Sequence, residues 1–288
     1  MRLLPLKLGI LDSHCRGGLM LRLLTLGLIM LVSACTTGSY NLADLAPSGA
    51  HVSAGQVAVP HPRFGDYKPH PWDRRAPWTY AVHGTDVSKY QGAVDWQEAR
   101  DAGISFVFIK ATEGGDRVDD FFKAHWNGAR AAGIPRSAYH FYYFCRPAHE
   151  QAQWFIRNVP RESGVLPHVL DMEWNHTSPS CRLRPPAATV QSEMKIFLDM
   201  IERHYGKRPI IYTSIDFYQD NRLHEFKGYQ WWLRSVANHP DTIYNRERFL
   251  FWQYTGTGKV PGINGEADIN VFNGTAAQWR AWLQTNGR

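Results

Sequence analysis

Phe106-Val107-Phe108-Ile109, residues 106–109, is an unbroken apolar run, and what stands on either side of it decides the fold. A strand with one wet face alternates apolar and polar residues. A strand covered on both faces stays apolar throughout. Just before the run, residues 94–102 carry a helical pattern that Gly103 stops, the usual place for a glycine C-cap. Just after it, Phe122, Trp126 and Ala129 recur at helical spacing and the pattern closes near Gly133. A buried strand between two helices is the repeating unit of a parallel sheet.

The unit recurs outward along the chain. Residues 79–84 form a strand leading to Asp86, and residues 137–144 form a third strand, followed by a helix with Ala152, Phe155, Ile156 and Val159 on one stripe. Residues 168–170 begin a fourth strand. A long helix marked by Val190, Met194, Phe197 and Ile201 then closes near Gly206. Residues 210–212, 231–233, 250–252 and 269–271 supply four more strands, and Trp279, Trp282 and Leu283 mark a last helix. Eight strands of this kind imply closure into a (β/α) TIM-like barrel. Helices thin out after residue 225, so the barrel is expected to be irregular, with fewer helices in its second half.

The ends of these strands carry the chemistry-bearing residues, as barrel enzymes require. Val169-Leu170-Asp171-Met172-Glu173 ends in two carboxylates two residues apart, which alternation places on one side of the strand. Carboxyls that close cannot both ionise freely, so at least one should bind its proton more tightly than usual. Asp86 ends the first strand and Asp268 stands just before the last. With Tyr139, Tyr142, Tyr212, Trp252 and Gln253 nearby, they describe an acidic, aromatic cleft. Such a cleft suits an oxocarbenium-like transition state, with anions for the positive charge and flat rings for sugars.

Six ordered motifs resemble those of family 25 glycoside hydrolases, the lysozymes of the Chalaropsis type. His83-Gly84-Thr85-Asp86-Val87-Ser88-Lys89-Tyr90-Gln91-Gly92, with Asp95-Trp96, is similar to their opening. Ile109-Lys110-Ala111-Thr112-Glu113-Gly114, Ala138-Tyr139-His140-Phe141, Leu170-Asp171-Met172-Glu173, Trp252-Gln253-Tyr254 and Asp268-Ile269-Asn270-Val271-Phe272 follow in order. The resemblance spans residues 80 to about 285 and implies a flattened barrel. It also implies a muramidase that cleaves the β-1,4 bond between N-acetylmuramic acid and N-acetylglucosamine in peptidoglycan. Glu173 would be the general acid/base and Asp171 would orient the substrate's N-acetyl group. Asp86 and Asp268 would line the floor, and Tyr139, Tyr212 and Trp252 would shape sugar subsites. Retention through the substrate's own acetamido group is favoured by the same analogy, over a scheme in which Asp86 or Asp268 acts directly.

The remainder of the chain reads as an address. Of the net charge of +6, residues 1–34 hold +3, from Arg2, Lys7, Arg16 and Arg22 against Asp12. Residues 21–32 form an apolar core too short for a confident membrane span and right for a signal peptide. Val32-Ser33-Ala34-Cys35 resembles a bacterial lipobox, with cleavage before Cys35 and lipidation of it; an ordinary secretory signal or an uncleaved anchor is the alternative, and Met20 is an alternative start. Residues 35–78, interrupted by Pro47, Pro60, Pro62, Pro69 and Pro71, read as a flexible tether; whether parts of it pack on the domain is left open. The barrel domain is then residues 79–288, in a monomer exported to the cell envelope and held at a membrane, with the outer membrane as one location. Cys145 and Cys181, the two cysteines of the body, suggest one disulfide in an exported protein, with two buried thiols as the alternative. The segments 161–165 and 176–186 are insertions, the second placed to border the cleft.

Other classes fit less well. No dense basic patch interleaved with aromatics argues for nucleic acid. His83, His140 and His168 lie near the acids, yet there is no His-x-His pair and no His-Glu-x-x-His helix, so neither a metal nor any other cofactor is expected. A metal-dependent barrel hydrolase and a barrel that binds glycan without cutting it are the rival readings. A serine hydrolase is disfavoured for want of a Gly-x-Ser-x-Gly elbow.

Overall fold

A computed structural model describes residues 59, 62–73 and 75–287. Eight strands close a barrel: β2 (His83–Val87), β3 (Ile104–Glu113), β5 (Arg136–Phe141), β6 (Val169–Met172), β7 (Ile210–Thr213), β8 (Gln230–Arg234), β9 (Phe251–Lys259) and β10 (Ala267–Phe272). Pairing of β8 with β9 shuts the ring. Two short strands lie outside the ring, β1 (Gly65–Asp66) on β9 and β4 (Arg117–Val118) on β3.

Helices α1 (Trp96–Ala102), α2 (Phe122–Ala131), α3 (Ala148–Asn158) and α4 (Ala187–Tyr205) follow strands in the first half. Past β7 the connections hold α5 (Ile215–Asp220), a 3-10 turn at Leu223–Glu225 and α6 (Pro240–Ile243), short elements with no apolar stripe to announce them. The expected thinning of helices is what the structure has. Asp95 caps α1 by accepting the Glu98 N–H at 2.9 Å, and Gly206 ends α4 in the left-handed conformation at φ 73°.

One strand departs from the expected all-parallel sheet. β10 runs antiparallel to both β9 and β2. Only residues 260–266 connect β9 to β10, too few for the crossover of a dozen or more residues that a parallel pair needs. β9 is also longer than the apolar run 250–252 announced. Its continuation through Thr255, Gly256, Thr257 and Gly258 reads as loop in sequence, but Gly258 is there for a close approach: a Cβ would stand 2.3 Å from Ile269 Cδ1.

The barrel's two ends differ. At one end Phe106, Phe251 and Phe272 pack against Trp279 and Trp282 of α7 (Ala276–Asn286), all fully buried. Phe108 stacks on Trp232 at 4.3 Å above them. That end is shut by apolar burial. The C-terminal ends of the parallel strands carry the polar residues.

Part of the segment expected to be a tether is structured. β1 pairs Gly65 and Asp66 with Lys259 and Gly258, Arg63 N–H donates to Ala102 O at 2.7 Å, and Trp72 sets its edge on Trp252 at 5.1 Å. Prolines remove any helical or strand period here, while Phe64 and Trp72 still supply apolar anchors. Residues 62–73 and 75–78 form a strap along the barrel's flank. The signal peptide, Cys35 and nearly all of residues 35–61 lie outside the described residues. Among the described residues no helix is long and apolar enough to cross a membrane.

Candidate active site

Antiparallel β10 explains how a residue at the start of a strand reaches the rim formed by strand ends. Asp268 is paired directly with Asp86 of β2. Side chains on the inner face of a closed barrel can reach strands two positions away, and three hydrogen bonds do so. Gln253 on β9 donates to Asp86 Oδ2 at 3.0 Å, Tyr212 on β7 donates to Gln253 Oε1 at 2.9 Å, and Trp232 on β8 donates to Asn270 Oδ1 at 2.7 Å. Asn270 Nδ2 completes the chain, donating to Asp86 Oδ2 at 2.7 Å. An indole N–H can only donate, so it fixes the Asn270 amide with its nitrogen toward the carboxylate. Asp86 thus accepts two buried amide donors.

Four carboxyls share this space. Burial pushes Asp86 up to about 6, against the lowering by its two amide donors and by Arg234. Burial, with Asp216 and Asp86 adding to it and Arg234 and Lys110 opposing it, pushes Glu173 up to about 7. Asp171 and Asp268 are held well above the usual carboxylate range, Asp171 by burial and then by Glu173, Asp268 by burial and then by Asp86. Asp171 Oδ1 is buried without a hydrogen-bond partner, which fits a neutral carboxyl better than an anion. Asp86 and Asp171 are buried, whereas Glu173 is partly open to solvent. The rim therefore holds two partly open acids, Glu173 and Asp268, over the buried carboxyls of Asp86 and Asp171, and Glu173 can carry a proton near neutral pH.

Tyr139 and Tyr212 face the same acids. Burial first and the acids second keep both phenols protonated far above neutral pH. Tyr142 and Trp252 do not join them, a correction to their expected role. Tyr142 is buried between barrel and helices, its hydroxyl donating to Glu193 Oε2 at 2.8 Å. Trp252 is fully buried on the outer side, its indole donating to Ser235 O at 2.8 Å. Trp252 and Gln253 are neighbours on one strand, so they cannot both face inward.

Two rim residues went unassigned in the sequence. Arg234 follows Trp231-Trp232-Leu233 at the same parity as Trp232, so a cation at a strand's end on the inner face was the available signal. Asn270 lay inside a quoted motif without a role. The histidines have partners of their own. His140 lies between Thr112 Oγ1 at 2.7 Å and Gln151 Oε1 at 3.0 Å, and burial pushes it down to about 4. His168 is buried and pushed down to about 3.

The insertion at 176–186 borders the site as its position suggested. Cys181 is joined to Cys145 by a disulfide with a Cα–Cα distance of 5.8 Å. Glu173, Trp174, Arg182 and Arg184 line one small recess there, and Arg184 lies 4.8 Å over the Trp174 ring.

Comparison with known proteins agrees with this geometry. A sequence profile for glycosyl hydrolases family 25 matches residues 85–263. The chain is 38% identical over 215 residues to an uncharacterised protein, YegX, of Escherichia coli K12, covering 73% of this chain and 76% of that one. It is 34% identical over 216 residues to lysozyme M1 of Streptomyces globisporus, covering 69% and 70%. A family 25 glycosyl hydrolase structure from Bacillus anthracis superposes with a TM-score of 0.67 at 33% identity, over 77% of this chain and 100% of that one.

Proposed function

Because this chain belongs to glycosyl hydrolase family 25 and is a glycoside hydrolase that acts on peptidoglycan, we propose that it is a muramidase cleaving the β-1,4 linkage from N-acetylmuramic acid to N-acetylglucosamine. The observation that carries this is Glu173, a partly open carboxyl pushed up to about 7 beside a buried acid two residues away. Glu173 in its protonated form donates to the leaving glycosidic oxygen. Asp171, buried and with an unpartnered oxygen, hydrogen-bonds the substrate's acetamido group so that its carbonyl oxygen attacks the anomeric carbon. The product is then released by water with Glu173 as base, and configuration is retained. Asp86, ionised above about 6, supplies negative potential under the developing oxocarbenium charge, with Asp268 paired to it on the floor. Tyr139, Tyr212 and Gln253 hold the sugar at the rim.

Signal peptide, cleavage before Cys35 and lipidation of that thiol would place the monomeric enzyme at a membrane facing the wall. The lipobox-like Val32-Ser33-Ala34-Cys35 supports this, and Cys35→Ser should release the protein from membrane fractions. Clearing of purified cell walls, with mass analysis of the new reducing ends, tests the bond specificity. Muramic acid at every new reducing end is expected. Glucosamine at those ends would make the enzyme a glucosaminidase instead.

A further inference from the structure

A groove of about 790 Å³ runs beside the acidic rim, and one wall of it is the strap, which lies ahead of the region matched by the family. The volume falls in the range of small-ligand sites, about 300–1,000 Å³. The opposite wall is β9 together with Arg234 at the end of β8.

Three observations connect this groove to the chemistry. First, it adjoins one of the acids: Gly256 lines it, and a Cβ added there would stand 3.2 Å from Asp268 Oδ1. Second, Arg234 lines the groove while its charge acts on Asp86, Glu173 and Asp268 through space. Its guanidinium forms no hydrogen bond or ion pair with any described residue, so its donors are available to a ligand's oxygen atoms. Third, the strap presents rings to the groove. Trp78 is 69% exposed, an unusual state for the largest side chain, and Phe64 and Trp72 line the groove with it, as does the buried Tyr80 just past the strap. Flat rings interleaved with polar groups such as Asp66 and Thr257 suit the apolar faces and hydroxyl edges of sugars.

Resting on the glycan-cleaving reading above, we propose that the groove between the strap and β9 is a binding subsite for the glycan strand beyond the cleaved linkage. Arg234 bonds the oxygens of the N-acetylated sugar nearest the acids, and Trp78 stacks on a sugar farther out. The strap then does more than close the barrel's flank: it lengthens the stretch of polymer the enzyme grips, so long strands bind more tightly than short ones.

The test uses full-chain Glu173→Gln protein, titrated calorimetrically with peptidoglycan glycan fragments from disaccharide to octasaccharide. Affinity should rise with length. Adding Trp78→Ala, at an exposed position, should weaken the octasaccharide by about three- to tenfold and the disaccharide far less. In hydrogen exchange, the octasaccharide should protect residues 62–73 and 75–80. Length-independent affinity, or an unchanged octasaccharide affinity in Trp78→Ala, overturns the subsite while leaving the catalytic reading in place. Exchange protection of the strap that is the same with and without fragment overturns it too. Failure to bind any fragment removes the glycan reading and the subsite with it.

Discussion

Asp268 and Asp86 stand directly opposite each other on the antiparallel β10–β2 pair, at the top of the barrel interior. Like charges in that position repel, and Asp86 raises the affinity of Asp268 for a proton. The pair persists because Asp86 takes two amide donors and because Arg234 lies near both. A site of this kind stores a proton among several carboxyls rather than on one.

The amide donors give a first prediction. Asn270→Ala strips Asp86 of one donor and leaves the Trp232 indole unpaired. Thermal unfolding should show a loss of about 1–3 kcal/mol. Because that donor lowers Asp86, its removal should shift the acidic limb of the pH–rate curve upward. An unmoved limb would separate Asp86 from the catalytic pH dependence.

The pH profile itself is a second. The proposed mechanism needs Asp86 ionised and Glu173 protonated, so kcat/KM should be greatest in the narrow interval between about 6 and about 7. Activity should fall as pH rises through the folded-state value of Glu173. Stability runs the same way: Glu173 sits above its ordinary value of 4.5, so its contribution is fully present below that value and is lost as pH rises through about 7. Glu173→Gln should therefore melt several degrees higher than the parent at pH 8, a gain of about 1–3 kcal/mol, with the gap closing toward pH 4.

A third contrasts Trp252, which the structure moves out of the cleft, with Tyr212, which it keeps there. Trp252→Ala should cost about 3–5 kcal/mol by opening a cavity between strap and barrel. Tyr212→Phe removes only the hydroxyl that meets Gln253, and should cost about 1 kcal/mol while raising KM. Equal stability losses in calorimetric melts would contradict the assignment of Trp252 to the core.

The barrel was legible because β3, β7 and β8 carry uninterrupted apolar runs and each of the first four helices an apolar stripe. The carboxylate pair was legible because strand alternation is rigid: Asp171 and Glu173 could only face one way. Direction was harder. Nothing local in Ala267 to Phe272 says that β10 runs antiparallel; the short connection from β9 does, and that could be counted only once the extent of β9 was known. The strap escaped notice because its order comes from long-range contacts, Trp72 on Trp252 and β1 on β9, which leave no period behind. Arg234 was passed over because a single arginine after two tryptophans reads as a solvated strand end until the barrel closes around it.

The disulfide supplies a fourth. Cys145–Cys181 pins the insertion that borders Glu173, spanning a sequence separation of 36. Replacing both cysteines by serine should lower stability by about 3–4 kcal/mol on the chain-entropy view. Reductant should destabilise the parent in melts and leave the double variant unchanged. Equal sensitivity of both proteins to reductant would contradict the bond.

The central claim is that the partly open carboxyl of Glu173 gives up its proton to the glycosidic oxygen. It is tested most directly by the rate at which Glu173→Gln releases new reducing ends from purified peptidoglycan at pH 6–7. The expected result is a loss of about 10²–10⁴-fold in kcat, with the fold intact by circular dichroism. Turnover within a few-fold of the parent would contradict it.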